Sequence, residues 1–150
     1  MDSANFNSAG AWAKRFHFAA RSAIGATLRP YDVGATQWYV LWHLFHDGTL
    51  AQRDFLKLLH IEKPTLSAVV STLVRKGLVE QKTDPEDHRQ KLLSITPAGR
   101  ALWETLPNPI DIIRKTAFEG IAEEDLATVV RVLSTGTERL NGLLGKGNKS

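Results

Sequence analysis

Apolar residues recur at every fourth position near the start of the chain: Trp12, Phe16, Ala20, Ile24 and Leu28. That spacing predicts a helix over residues 8–28 with one apolar stripe. Pro30 and Gly34 bracket a turn, and Thr36 is placed to cap a second helix running to about His46. The second helix is apolar on most faces. Trp38, Leu41, Trp42 and Phe45 form one stripe, Val40 and Leu44 extend it, and Tyr39, His43 and His46 make a half-polar third face. Such a helix is expected to be buried on several sides. Asp47-Gly48 ends it, and a third helix is expected over residues 51–59, presenting Phe55, Leu58 and Leu59.

After His60-Ile61 the periodicity predicts a fourth helix up to Lys76, with Pro64 in its first turn, where a missing N–H does no harm. Its inner stripe is Leu66, Val69, Val70, Leu73 and Val74; its outer face carries Pro64, Ser67, Ala68, Ser71 and Arg75, flanked by Thr65 and Thr72. Gly77 is placed as a left-handed helix cap. Two short strands follow, Leu78-Val79-Glu80 and Lys91-Leu92-Leu93-Ser94-Ile95, joined through Asp84-Pro85-Glu86-Asp87-His88-Arg89, a turn dense in turn formers. Thr96-Pro97 opens a long helix that Pro107 and Pro109 must break near Leu106. Glu123-Glu124-Asp125 open a last helix with the stripe Leu126, Val129, Val130, Leu133, Leu140 and Leu144, and a disordered tail is expected over residues 145–150.

The expected fold is therefore mainly α with a small β-wing: a winged helix-turn-helix over residues 35–96, an N-terminal helix in residues 1–34, and C-terminal helices over 97–144. Helix and ribbon together are a device for gripping a DNA duplex. A solvent-facing helix ordinarily carries Glu and Lys, so small hydroxyl residues on the fourth helix favour close approach to base and phosphate edges. The terminal helices are amphipathic and need a partner, and a symmetric dimer supplies one.

Charge placement sharpens this reading. The chain of 150 residues carries a net charge of +3, and residues 50–100 hold nine Lys/Arg against six acids. The positive excess thus sits on the winged helix, where a polyanion would bind. There is no cysteine, which removes disulfides, thiolate nucleophiles and cysteine redox sensing. Met1-Asp2-Ser3-Ala4-Asn5 shows no basic region leading into an apolar run, and no window approaches the roughly 18 apolar residues of a membrane span. A cytoplasmic protein without membrane contact is expected.

Residues 84–99 carry the most specific resemblance. Asp84-Pro85-Glu86-Asp87-His88-Arg89, then Leu92-Leu93-Ser94-Ile95-Thr96-Pro97-Ala98-Gly99, resemble the aspartate-x-arginine wing and leucine-threonine-x-x-glycine exit of the multiple-antibiotic-resistance-regulator (MarR) family of bacterial transcription factors. Arg75-Lys76-Gly77-Leu78-Val79-Glu80 is similar to that family's end of recognition helix and first wing strand. The resemblance implies a homodimeric repressor of a pseudo-palindromic operator. It implies that Arg89 enters the minor groove with Asp87 holding its orientation, and that Lys63, Thr65, Ser67 and Ser71 face the major groove or its phosphates. Pro64, Ala68, Arg75, His88 and Lys91 complete the expected DNA-facing set. One departure is Ile61-Glu62-Lys63, where many relatives carry a serine before the basic residue; Glu62 is then expected to cap or charge the helix N-terminus.

The resemblance also implies release by a small aromatic carboxylate bound between the winged helix and the dimer helices. His17 and Arg21, one turn apart, are candidates for the carboxylate, and Trp12, Phe16, Tyr39 and His43 for the ring. Aromatic residues at helical spacing are also what a plain core requires. A metal-responsive regulator is an alternative, from His43 and His46 with His17 and His60, but the set lacks cysteine and zinc sites want three or four converging ligands. No metal or other cofactor is expected. A winged helix used for protein contact would want an apolar outer face, and Ala68 alone fits that. No nucleophile–base arrangement, phosphate loop or metal motif points to an enzyme.

Overall fold

The computed structural model describes residues 7–147, with side chains as far as residue 145. The elements in order are α1 (Ala9–Leu28), a 3₁₀ turn (Arg29–Tyr31), α2 (Ala35–Asp47), β1 (Leu50–Ala51), α3 (Asp54–Leu59), α4 (Lys63–Arg75), β2 (Val79–Thr83), β3 (Lys91–Ile95), α5 (Pro97–Thr105), α6 (Pro109–Phe118) and α7 (Glu123–Gly147). Two compact units divide at Ile113 and Arg114, within α6.

In the first unit, the apolar girth of α2 has the cause its pattern implied. Val40, Leu41 and Leu44 enter one core with Phe55, Leu66, Val70, Leu73, Leu78, Val79 and Leu93. Trp38 enters a second with Ile24, Leu28 and Val33, against which Trp103 and Leu106 pack. One helix thus serves the winged helix on one side and α1 on the other. The inner stripe of α4 is buried at Leu66, Val70 and Leu73, half-buried at Val69, and exposed at Val74.

The sheet has three strands, in the order β1-β3-β2, where the alternation had predicted a two-stranded ribbon. Residues 50 and 51, the second of which was expected to open the third helix, pair with β3 as Leu50↔Leu93 and Ala51↔Leu92. The Gln52 N–H continues that ladder to the Lys91 carbonyl at 2.8 Å, so α3 starts only at Asp54. A two-residue strand has no periodicity to read. Thr36 is not the cap of α2 either. Gly34 is the N-cap, its N–H donating to the Gln37 side chain at 3.3 Å, while Thr36 is buried in the first turn and accepts a hydrogen bond from Arg21 Nη2 at 2.7 Å. Glu62 stands at the N-cap of α4 with no side-chain capping bond, so the capping alternative is not realised.

The predicted exit of the wing holds. Thr96 caps α5, its hydroxyl accepting from the Gly99 N–H at 3.0 Å while donating to the Gly77 carbonyl at 2.6 Å. One side chain therefore ties the end of the α4 turn to the start of α5. Thr96→Ala is expected to cost about 1 kcal/mol of stability, in the range of lost N-caps. Urea unfolding tests this; an unshifted midpoint would show that the cap contributes nothing.

Pro107 lies between α5 and α6, and Pro109 opens α6. The second unit contains α7, opened by Glu123, Glu124 and Asp125 at its positive end after a left-handed Gly120. Its stripe is exposed at Val129, Val130, Leu133, Leu140 and Leu144. The helix persists through Gly147, beyond the expected start of a tail at 145; residues 148–150 lie outside the described residues. In α1, Ile24 and Leu28 are buried, whereas Trp12 and Phe16 are exposed. Among the described residues no helix is long and apolar enough to cross a membrane.

Candidate nucleic-acid interface

α4 is held from beneath by its buried stripe, and that leaves Lys63, Pro64, Thr65, Ser67, Ala68, Ser71 and Arg75 exposed together. Pro64 sits in the first turn, where its ring preorganises the backbone. Arg75 touches the Thr72 hydroxyl at 3.4 Å. The outer face is thus small and hydroxylated with a cation at each end. Such a surface lets backbone and short donors approach a duplex closely.

Backbone pairing builds the wing. β2 and β3 run antiparallel from Val79↔Ile95 to Thr83↔Lys91. Beyond the last pair, the Asp84 N–H donates to the Gln90 carbonyl at 3.0 Å and the Gln90 N–H to the Asp87 carbonyl at 3.1 Å, which close the tip. Asp84 accepts the Glu86 N–H at 2.9 Å and is also bonded by the Gln90 amide. Asp87 Oδ1 accepts the Arg89 backbone N–H at 3.1 Å and its Nε–H at 3.4 Å. One carboxylate therefore sets both the backbone and the side chain of Arg89, whose side chain remains 94 % exposed. His88 is exposed beside it, and Lys91 donates to the Thr83 hydroxyl at 2.8 Å.

These hydrogen bonds, the Glu86 N–H first and the Gln90 amide second, hold the Asp84 carboxyl below the usual aspartate range. A lowered folded-state value means the carboxylate supports the wing above the unfolded-state value, and that support fades as pH falls through the lowered one. An NMR pH titration of Asp84 should show its midpoint below the ordinary aspartate range, rising in Gln90→Ala. A midpoint at the ordinary value would contradict the tip geometry.

Between wing and helices lies a cleft of about 250 Å³ that brings Arg53 together with Lys63, Arg89 and Lys91. Arg53 was not among the expected contacts. It falls in the turn before α3, where no periodicity marks a face, and only the three-stranded sheet carries it beside the wing.

The expected effector residues separate into groups. Arg21, Thr36 and Tyr39 come together where α1 meets α2; burial pushes the Tyr39 hydroxyl up, and Arg21 pulls it the other way. His43 turns elsewhere, to Asp47 at 3.3 Å and to the Phe55 ring at 5.9 Å. Trp12 lies under the Arg15 guanidinium at 4.6 Å, and His17 lies edge-on to Phe18. His46 Nδ1–H donates to the Trp42 carbonyl of its own helix at 2.8 Å. No group of three or more His, Asp or Glu converges on a metal-sized space among the described residues. A cavity of about 220 Å³ that the pattern did not single out is lined by Trp38, Trp42, His46 and Trp103, with Pro107 and Asn108 at its edge. Trp103 belongs to α5, and single-helix periodicity says nothing about which distant ring it meets.

A helix-turn-helix with a charged β-wing, its outer helix face small and polar, defines a winged helix-turn-helix protein, a class that presents one helix to a duplex groove. Residues 31–90 match the family model described as MarR family. The fold is also that of solved MarR-family structures. Bordetella bronchiseptica BpsR, described in a structure on regulation of its DNA binding by 6-hydroxynicotinic acid, is 25% identical with a TM-score of 0.76, over 88% of this chain and 94% of that one. S. aureus MepR in complex with DNA is 24% identical with a TM-score of 0.77, over 88% and 98%. A mutant of E. coli MarR complexed with operator DNA is 20% identical with a TM-score of 0.75, over 88% and 95%. The match over residues 31–90 and the shared fold make this chain similar to winged-helix transcription regulators.

Proposed function

We propose that the chain works as a homodimer that binds a pseudo-palindromic operator, represses from it, and is released by a small aromatic acid. The observation that carries the DNA-binding part is the continuous exposed surface of α4 and wing, with Arg89 held by Asp87 and pointed into solvent. Lys63, Pro64, Thr65, Ser67, Ala68, Ser71 and Arg75 serve the major groove and its phosphates. Arg89 serves the narrow, negative minor groove, flanked by Asp87, His88 and Lys91. Residues 35–96 then bind DNA, while residues 1–34 and 97–144 make the dimer. In support of the dimer, α1 exposes Trp12 (53 %), Phe16 and Phe18, and α7 exposes Val130 (67 %), Leu140, Leu143 and Leu144. Apolar faces of this extent ordinarily meet a partner. Two recognition helices about 34 Å apart would match successive major grooves. In this reading the protein acts in the cytoplasm, without a membrane and without catalysis.

BpsR, regulated by 6-hydroxynicotinic acid, supports an aromatic-acid effector. We assign the acid's carboxylate to Arg21 and its ring to the side of Tyr39, where α1 meets α2; His17, Trp12 and Phe16 lie along the same helix as Arg21, and His43 turns away to Asp47. The effector acts by favouring a dimer whose recognition helices are wrongly spaced. Arg21→Ala is expected to abolish release by aromatic acids and leave DNA affinity unchanged. Release that persists in Arg21→Ala but is lost in Trp103→Ala would move the site to the aromatic cavity between α2 and α5.

The whole reading is tested by fluorescence anisotropy with a duplex from upstream of the protein's own gene, at two salt concentrations, against a scrambled duplex. Selective, salt-sensitive binding at two chains per site is expected. Equal weak binding to both duplexes would overturn sequence-specific recognition of that site.

A further inference from the structure

Two adjacent cations end the recognition helix, and they do opposite things. Arg75 stays on the outer face, touching its neighbour Thr72. Lys76, the C-cap residue of α4, turns inward across 44 positions of sequence to the corner between α1 and α2. An ammonium has three N–H donors. Here three acceptors meet it: the Asp32 carbonyl, the Asp32 carboxylate at 3.3 Å and the Gln37 side-chain oxygen at 3.3 Å. The Lys76 side chain is only 25 % exposed.

Both ends of this link are fixed. At the helix, the Lys76 N–H donates to the Thr72 carbonyl, and Gly77 follows with φ +76°, turning the chain into β2. At the corner, Asp32 adopts φ +57°, a left-handed conformation uncommon for a non-glycine residue, and its N–H donates to the Arg29 carbonyl at 3.0 Å. Gln37 is itself tied to the Gly34 N–H at the start of α2. Charge near the end of a helix also favours a cation there, because the helix dipole is negative at that end.

We propose that Lys76 is a positioning residue for DNA recognition: a strut that fixes the C-terminal end of α4 against the α1–α2 corner, with its charge engaged by Asp32 and Gln37 rather than by a phosphate. The proposal rests on the DNA-binding reading above. The buried stripe anchors α4 along its length, and Lys76 adds the restraint that stops its last turn from tilting away from the groove.

The test uses the full chain with Lys76→Met, which keeps the aliphatic stem and removes the charge, beside Lys76→Arg, Asp32→Asn and, as reference, Arg75→Gln. Lys76→Met is expected to weaken binding to the selected duplex about tenfold, as a coupled contact of this kind does. Its salt dependence should stay that of wild type, while Arg75→Gln lowers the slope by about one. Lys76→Arg should recover most of the affinity. Asp32→Asn should weaken binding by a smaller factor, and the double variant with Lys76→Met should be no weaker than Lys76→Met alone. Wild-type affinity in Lys76→Met would overturn the proposal, and so would a slope lowered as in Arg75→Gln. If Lys76→Met does not fold, Asp32→Asn decides: weaker binding at unchanged slope supports the strut and unchanged binding removes it. If wild type does not select any duplex, the DNA reading has failed. The strut is then judged by amide hydrogen exchange over residues 73–77, which should rise in Lys76→Met relative to the first turn of α4, and equal exchange overturns it.

Discussion

Gly99→Ala is expected to lose about 3 kcal/mol of folding stability, at the top of the range for forced overpacking. A Cβ at this position would lie 2.1 Å from the Leu78 carbonyl oxygen and 3.0 Å from its carbonyl carbon. Neither is a side chain that swings aside. That carbonyl already accepts the Thr96 N–H at 3.1 Å, so it cannot retreat without breaking the bond that starts α5. In an open helical position the same substitution would gain stability, by up to about 1 kcal/mol, through helix propensity. The clash therefore reverses the sign. The Ile95 side chain, at 2.8 Å, would also have to move. Relief comes only by lifting α5 from the turn after α4, which disturbs Leu102 and Trp103 where they pack on the cores. Urea unfolding at constant m-value measures the loss. A midpoint equal to wild type would mean that α5 is not pinned here.

Arg89→Ala is expected to weaken operator binding by ~1–3 kcal/mol while leaving assembly and thermal unfolding as they were. The two halves of this expectation have one cause. The Arg89 side chain is almost entirely in water, and it pairs with Asp87 two residues away, so folding gains little from it. For a duplex the same isolation is an advantage, because the guanidinium arrives already aimed by Asp87 and little freedom is lost on docking. Anisotropy titration and a melting curve on the same preparation separate the two halves. Unchanged affinity in a folded variant removes the wing from recognition; a lowered melting point would make Asp87–Arg89 a structural pair instead.

Much of the winged helix was legible along the chain. α4 declares itself by an inner apolar stripe, a proline in its first turn and a glycine after its last. The wing declares itself by a cluster of turn formers between two short alternating runs, and the break before α6 by two prolines. Each is a local rule: the residues that define the element lie within one or two turns of each other. The expected DNA-facing residues of α4 are exposed for the same reason, since the side opposite a buried stripe is the solvent side.

The residues that escaped the pattern share the opposite property. β1 is two residues long and exists because β3 lies beside it. Thr36 looked like a cap by position, but Arg21 from another helix makes it a buried acceptor, and Gly34 with Gln37 does the capping. Arg53, Lys76 and Trp103 gain their roles from partners far along the chain, in the cleft, at the α1–α2 corner and in the aromatic cavity. Local periodicity and turn chemistry were enough for most of the helices, the wing and the basic bias of residues 50–100. Long-range packing settled which charges stay free for solvent and which meet a partner from another element, because hydrophobic periodicity specifies the face a residue occupies but not the atom that meets it there.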